Sequence, residues 1–108
     1  SPKYYSFKQD AEAIYSSFYQ QYGIDLLYKK QKMHWDQFKA LFAGLGPDTY
    51  FMRIVQIRQE DISKLEGDAQ REMIEAQQRY ALEETQSQEA VQNQIEDFGN
   101  MLMAIAKS

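Results

Sequence analysis

Apolar residues recur every three or four positions through the first part of the chain, which is the period of one face of an α-helix. Ser6 and Gln9 have the spacing of a capping box, so a helix is expected to begin there. The apolar positions that follow are Phe7, Ala11, Ile14, Tyr15, Phe18 and Tyr22. Gly23 is suited to end this helix because glycine adopts the left-handed conformation of a C-terminal cap at no steric cost.

Two further helices are predicted after a connector of residues 25–32. The apolar set of the second helix is Trp35, Phe38, Leu41, Phe42 and Leu45. Residues 44–48 then indicate a stop and a restart, with Pro47 in the first turn of a third helix and Asp48 complementing its dipole. The third set is Tyr50, Phe51, Ile54, Val55 and Ile57. It covers more than one stripe, which indicates burial against two neighbouring elements.

After Gly67 the sequence is rich in Gln, Glu and Ala, which is typical of solvated helices. One sparse apolar set consists of Ala69, Met73, Ala76 and Tyr80. A second set, called the C-terminal seam below, consists of Val91, Ile95, Phe98, Leu102 and Ile105. Its spacing is that of a coiled coil or a helix hairpin. Because the two sets do not share a phase, a break is expected within residues 83–87.

These patterns predict an all-α protein with a compact three-helix core followed by one or two amphipathic C-terminal helices. Of the 15 aromatic residues, 13 lie between Tyr4 and Phe51, so the packed core is assigned to the first half. We therefore divide the chain into an aromatic-rich helical core, residues 1–66, and an acidic, Gln/Glu-rich helical arm, residues 67–108. The core is expected to form around Phe18, Trp35, Phe38, Leu41, Ile54 and Val55.

The composition argues against catalysis. The 108 residues contain no cysteine, which removes disulfides, thiolate metal sites and thiol nucleophiles. The one histidine, His34, precedes Trp35 at the edge of a predicted helix, where a packed or hydrogen-bonded side chain is expected rather than a general base. The glycines stand at helix ends and form no phosphate-binding loop. We therefore expect a protein that is not an enzyme and has no catalytic, cofactor-binding or metal site.

Charge is unevenly distributed along the chain. Residues 1–64 contain 9 Lys/Arg and 7 Asp/Glu, a net charge of +2, whereas residues 65–108 contain 3 and 9, a net charge of −6. Lys29, Lys30 and Lys32 lie beside aromatic residues, which is the combination found in single-strand binders of nucleic acid. Three lysines release few counterions, however, and the acidic half repels phosphates. No nucleic-acid partner is expected.

The compartment is predicted from what the sequence lacks. No stretch approaches the roughly 18 consecutive apolar residues of a membrane span, so no membrane partner is expected. A basic-then-apolar leader is not found at the start either. Together with the absence of cysteine, this favours a soluble protein in a reducing cytoplasm. The chain opens with Ser1-Pro2 rather than methionine, from which we expect that part of a longer protein precedes it.

The eight tyrosines are the strongest pointer to protein binding. A tyrosine ring buries apolar area while its hydroxyl stays hydrated, which suits an interface. The candidate partner-binding tyrosines, at or off the margins of the first two apolar stripes, are Tyr4, Tyr5, Tyr19 and Tyr28. Ordinary packing at the edge of the core is the alternative for them. The C-terminal seam has a similar alternative: it packs on the globular half, or it joins a second copy or a partner helix. Its polar flanks favour association.

A series of short motifs is spaced along residues 3–82. The motifs are Tyr5-Ser6-Phe7, Asp10-Ala11-Glu12, Ile14-Tyr15, Phe18, Tyr22-Gly23-Ile24-Asp25-Leu26, His34-Trp35, Phe38-Lys39-Ala40-Leu41, Gly44-Leu45, Asp48-Thr49 and Ile57-Arg58. This series resembles the C-terminal half of the gene-product-fifteen family, small phage proteins found in siphoviruses of Gram-positive bacteria. One departure is Asp36, which stands where members often repeat the tryptophan of His34-Trp35.

The resemblance implies a role in phage tail assembly. Members resemble tail assembly chaperones by genome position, being encoded between the major tail protein and the tape measure protein. The implied partner is the tape measure protein or another tail protein, and the implied location is the cytoplasm of the bacterial host. The implied action is to keep the long, helical tape measure protein soluble and to yield it as the tail tube polymerises. A structural component of the virion and a nucleic-acid-binding regulatory helical domain are the alternative functions. A homo-oligomer formed through the C-terminal seam is a further possible association.

We predict no detectable binding of DNA or RNA at physiological salt, because the acidic half offsets the attraction of Lys29, Lys30 and Lys32 for phosphates. Fluorescence anisotropy with labelled single-stranded and double-stranded oligonucleotides measures this. Micromolar binding that weakens steeply with added salt would contradict the prediction.

Overall fold

The structure is a computed structural model that describes residues 4–83 and 95–103. All regular secondary structure in these two ranges is helical. The elements are α1 (Ala11–Tyr22), α2 (Trp35–Ala43), α3 (Tyr50–Gln59), a short 3-10 helix (Ile62–Lys64) and α4 (Gly67–Arg79). Residues 95–103 are helical as well. The predicted all-α fold, with a compact helical core and helices towards the C-terminus, is confirmed.

The first helix begins later than the sequence predicted. α1 starts at Ala11 rather than at Ser6, and its cap residue Asp10 makes no side-chain hydrogen bond to the first turn. The reciprocal capping box predicted for Ser6 and Gln9 is not formed. The Ser6 hydroxyl accepts a hydrogen bond from the Gln9 backbone at 3.1 Å, as expected. The Ser6 N–H donates instead to the Asp10 carboxylate at 3.0 Å. The Gln9 side chain donates to the Ala81 carbonyl at 2.8 Å, just beyond α4. A carboxylate is a stronger acceptor than an amide, so Asp10 rather than Gln9 accepts the Ser6 N–H. The Gln9 side chain instead joins the turn before α1 to the chain just after α4.

Two glycines permit the tight geometry at the ends of α1 and α2. Gly23 ends α1 in the left-handed conformation, with φ +67°, and its N–H donates to the Tyr19 carbonyl, as predicted for a C-terminal cap. At Gly44 a Cβ atom would lie 2.9 Å from the Tyr22 hydroxyl oxygen. That hydroxyl donates to the Leu41 carbonyl at 2.8 Å. Glycine at position 44 therefore allows α1 to bind the end of α2 closely.

The start of α3 differs from the prediction. Pro47 and Asp48 lie in the turn before the helix rather than in its first turn, so that part of the prediction is wrong. Thr49 is the cap, and its hydroxyl accepts a hydrogen bond from the first turn at 3.4 Å. A second first-turn group, the Phe51 N–H, donates to the hydroxyl of Ser17 in α1 at 2.8 Å. A side chain from another helix thus completes the cap, which no local pattern contains.

The core is built mainly from aromatic rings. Its buried apolar residues are Phe7, Ala13, Ile14, Phe18, Leu26, Phe38, Leu45, Phe51, Ile54, Val55 and Phe98. Four of the six predicted core residues are buried, whereas Trp35 and Leu41 are half-buried and pack at the edge. α3 contacts both α1 and α4, as its wide apolar surface indicated.

The C-terminal part of the chain is described in two pieces. α4 contains no buried residue, in agreement with a solvated helix. It ends at Arg79, four residues before the range in which a break was expected, and most of that range lies outside the described residues. The division of the chain into a core of residues 1–66 and an arm of residues 67–108 stays a prediction.

A buried ion pair joins the turn before α1 to the last turn of α3. The Arg58 guanidinium donates to both carboxylate oxygens of Asp10, at 2.7 and 2.8 Å, and the two side chains are only 6% and 4% exposed. The same guanidinium donates to the Tyr4 carbonyl at 3.0 Å and to the Tyr80 carbonyl at 2.6 Å. A buried pair is stable only when its remaining donors and acceptors also find partners, and this pair meets that condition.

We predict that Arg58→Met lowers the free energy of unfolding by about 3–5 kcal/mol, because it leaves the Asp10 carboxylate buried and unpaired. Urea denaturation followed by circular dichroism measures the loss. The matched control is Arg71→Met, which removes an exposed pair with Asp68 and should change stability little. Equal unfolding midpoints for the two variants would show that the buried pair does not stabilise the fold.

Candidate protein-binding cleft

An open cleft of about 770 Å³ lies between the start of α2 and the helical residues 95–103. Its apolar lining on the side of the connector and α2 consists of Leu26, Met33, Trp35 and Phe38. The opposite wall contributes Ile95, Gly99, Leu102 and Met103. Polar groups at the cleft are Gln31, Lys32, His34, Glu96 and Asn100. Both the volume and the mainly apolar walls are typical of binding sites in proteins.

The cap of α2 positions the tryptophan of the cleft. The His34 imidazole Nδ1 accepts a hydrogen bond from the Asp36 N–H at 3.1 Å, and the Gln37 side chain accepts from the His34 N–H at 2.9 Å. These two bonds form a capping box, so the predicted hydrogen-bonded role of His34 is confirmed. Asp36, the departure from the family pattern, is exposed in the first turn of α2.

A stack of three rings connects the cleft with the centre of the core. Trp35 stacks on Phe38 with ring centroids 5.2 Å apart and planes inclined by 12°. Phe38 stacks in turn on Phe18 at 5.1 Å and 7°. Since Phe18 is completely buried and Trp35 is half-buried, the stack runs from the protein interior to the cleft wall. The Trp35 ring is therefore packed against the core at the cleft wall.

A folded connector forms the floor of the cleft beside α2. The Asp25 carboxylate accepts hydrogen bonds from the Tyr15 hydroxyl and from the Leu27 N–H, both at 2.9 Å. The hydrogen bond to Asp25 raises the pKa of Tyr15 above its ordinary value. Leu26 follows Asp25 in this turn and is buried, with only 4% of its surface exposed. Within the connector, Leu26 is thus buried at the cleft, whereas the lysines at positions 29, 30 and 32 are exposed to solvent.

The four candidate tyrosines do not gather at this cleft. Tyr19 and Tyr28 are 58% and 54% exposed, which leaves both rings accessible. Tyr4 and Tyr5 are half-buried, pack against the core and line a smaller cleft of about 300 Å³. The Tyr5 ring makes edge contacts with Phe7, Phe42 and Phe51. Tyr4 and Tyr5 thus pack at the core edge, and partner binding by all four tyrosines stays a prediction.

Three residues of the C-terminal seam are described, whereas Val91 and Ile105 lie outside the described residues. Phe98 is 5% exposed. Ile95 and Leu102 pack at the edge of the core and also line the cleft. The chain's own core thus covers this part of the seam, which is one of the two alternatives that the sequence left open. Association through the seam stays a prediction.

The cleft was not predictable from the periodic pattern. Its floor and wall include Leu26 and Met33, which belong to no periodic stripe of the predicted helices. No sequence signal distinguished Leu26, which is 4% exposed, from the adjacent Leu27, which is 50% exposed. Periodicity did place Trp35 and Phe38 on one helix face, and both were assigned to the core.

Neither a metal-binding cluster nor a membrane-spanning helix is found in the described residues 4–83 and 95–103. No group of three or more histidine or acidic side chains in these ranges is placed to hold a metal ion. Within the same ranges, no helix combines the length and the apolar character required to cross a membrane.

The first 82 residues of the chain match a known protein family. A family model described as Bacteriophage Gp15 protein matches residues 1–82, which is 82 of the 108 residues. Neither the curated proteins nor the solved structures contain a match to the chain. The matched range includes all four named α-helices and the connector wall of the cleft. The opposite wall, residues 95–103, lies beyond it.

We predict that Phe38→Ala lowers the free energy of unfolding by about 3–5 kcal/mol, because it leaves a cavity between two stacked rings. Trp35→Ala should cost less, since that ring is half-buried and faces the cleft. Thermal melting measures both, with Leu27→Ala, whose side chain is 50% exposed, as the control. An unchanged melting temperature for Phe38→Ala would show that the core is assigned wrongly.

Proposed function

Because the chain belongs to the bacteriophage Gp15 protein family, we propose that it is a non-enzymatic adaptor or chaperone of phage tail assembly. The family membership supports a phage structural or morphogenetic role, and the finer assignment is our proposal. The proposed partner is the tape measure protein, the long helical protein implied by the sequence resemblance. We propose that the two proteins meet in the cytoplasm of the bacterial host, before the tail tube polymerises.

The apolar cleft is the observation that supports this proposal. A long amphipathic helix that awaits assembly exposes an apolar stripe, and a groove lined by large apolar side chains covers such a stripe. The α2 side of the cleft supplies Trp35 and Phe38 for this purpose. Tryptophan is among the residues that contribute most strongly to binding at interfaces.

A structural component of the virion is the second candidate, because the family membership supports that role equally well. Mass spectrometry of purified virions separates the two roles. A stoichiometric amount of the protein in virions would favour the structural role, and its absence would favour a chaperone that leaves after assembly.

We predict that co-expression with the neighbouring tape measure protein raises the soluble fraction of that protein and allows the two to be purified together. Trp35→Asp should reduce the recovered complex at least about tenfold, since a central tryptophan anchor contributes 2 kcal/mol or more to typical interfaces. The control is Leu27→Asp, an exposed apolar residue outside the cleft lining. Circular dichroism of both variants confirms that they are folded.

Equal recovery with folded Trp35→Asp and wild type would show that the cleft is not the binding site. Failure of the wild-type chain to bind or solubilise the tape measure protein would contradict the proposed function itself.

A further inference from the structure

Residues 95–103 form a helix that packs on residues 1–82, the range of the family match, in the manner of a bound peptide helix. The ring of Phe98 lies 5.2 Å from that of Phe7 and 5.3 Å from that of Phe38, measured between centroids. The next residue is Gly99, where a Cβ atom would lie 3.6 Å from two ring carbons of Trp35, so the helix backbone is close to that ring. The rings of Phe7, Trp35 and Phe38 thus form a groove, called the aromatic groove below, in which Phe98 is the central anchor.

The side chains that face the groove have the spacing of a helix bound in a groove. Ile95, Phe98 and Leu102 are three and four positions apart, which places them on one face of the helix. All three pack in or against the core. On the remaining surface of this helix, Met101 and Met103 are exposed. This pattern of one buried aromatic anchor between two aliphatic residues is the one by which amphipathic helices bind to receptor proteins.

The fit of this helix is incomplete. A cleft of about 770 Å³ stays open between it and the connector wall. The helix also lies beyond residues 1–82, the range of the family match, whereas the three rings of the groove lie within it. The groove and its occupant are therefore distinct parts of the chain, and the groove is larger than the occupant requires.

Charge distinguishes the two walls of the cleft. Lys32 lines the connector wall, and Lys29 and Lys30 are exposed just before it. Glu96 lines the opposite wall and is followed by Asp97, which is exposed. An acidic helix thus occupies a groove with a basic rim, and such complementarity selects partners and accelerates their association.

We propose that the aromatic groove is a receptor site for one acidic amphipathic helix with a central aromatic anchor, and that residues 95–103 occupy it as a built-in competitor. The identity of the displacing helix as part of a tail protein rests on the proposed function; the receptor site itself does not. The competitor keeps the aromatic rings covered until the partner arrives. It also lowers the apparent affinity for the partner by the fraction of molecules whose groove is filled.

The test uses the full chain with Phe98→Asp, which removes the anchor and releases the groove. A synthetic peptide of residues 91–108 is titrated into the variant and into the wild type. Trp35 is the only tryptophan of the chain and lines the groove, so its fluorescence reports occupancy. We expect the peptide to bind the variant at least about tenfold more tightly than the wild type, because only the variant has a vacant groove.

Two controls make the result specific, and a second variant is available if the first does not fold. Met101→Asp changes an exposed residue of the same helix and should behave as the wild type. A peptide with Phe98→Ala should lose binding to the variant. Where circular dichroism shows that Phe98→Asp does not fold, Leu102→Asp replaces it, because Leu102 is only half-buried and its loss is milder.

A folded variant that does not bind the peptide, or a wild type that binds it equally well, overturns the proposal. This outcome is distinct from failure of the proposed function. If the folded variant does not bind the peptide but the wild type still captures the tape measure protein, only the proposed receptor site is rejected. Peptide binding without capture of the tape measure protein would reject the tail-assembly role alone.

Discussion

The fold depends on a buried ion pair between Asp10 and Arg58. Removing two charges from water costs several kcal/mol, so such a pair persists only where its geometry and its additional hydrogen bonds compensate the cost. Here the Asp10 carboxylate also accepts the N–H of Ser6, the residue before Phe7. The pair is thereby connected to the segment that places Phe7 in the core beside Phe38. The aromatic groove that we propose as a receptor site thus depends on a contact that it does not include.

The helices themselves were largely predictable because their signals are local. Periodic apolar residues place α1 and α2, and Gly23 and His34 end and begin them through contacts with residues at most five positions away. The contacts that join the helices were not predictable, since Asp10 and Arg58 are 48 residues apart. Both belong to motifs of the family resemblance, yet nothing in either motif indicates that they form a pair. The displaced start of α3 has a similar cause, because Ser17 of α1 helps to cap it.

The candidate site was predictable only in its ingredients. Periodicity identifies Phe98 as part of an apolar face that must be covered, but the same pattern fits a core, a second copy or a partner helix. In the structure the chain's own rings cover it. The role of the tyrosines stays a prediction, because a tyrosine at the margin of a stripe fits the edge of a core as well as an interface, and Tyr5 packs with three phenylalanines.

We propose that a partner helix takes the place of residues 95–103 in the aromatic groove. The decisive measurement is hydrogen exchange, followed by mass spectrometry, on the free chain and on its complex with the tape measure protein. We expect faster exchange in residues 95–103 on binding, together with slower exchange in α2. Unchanged or slower exchange in residues 95–103 within a stable complex would show that the partner does not displace this helix.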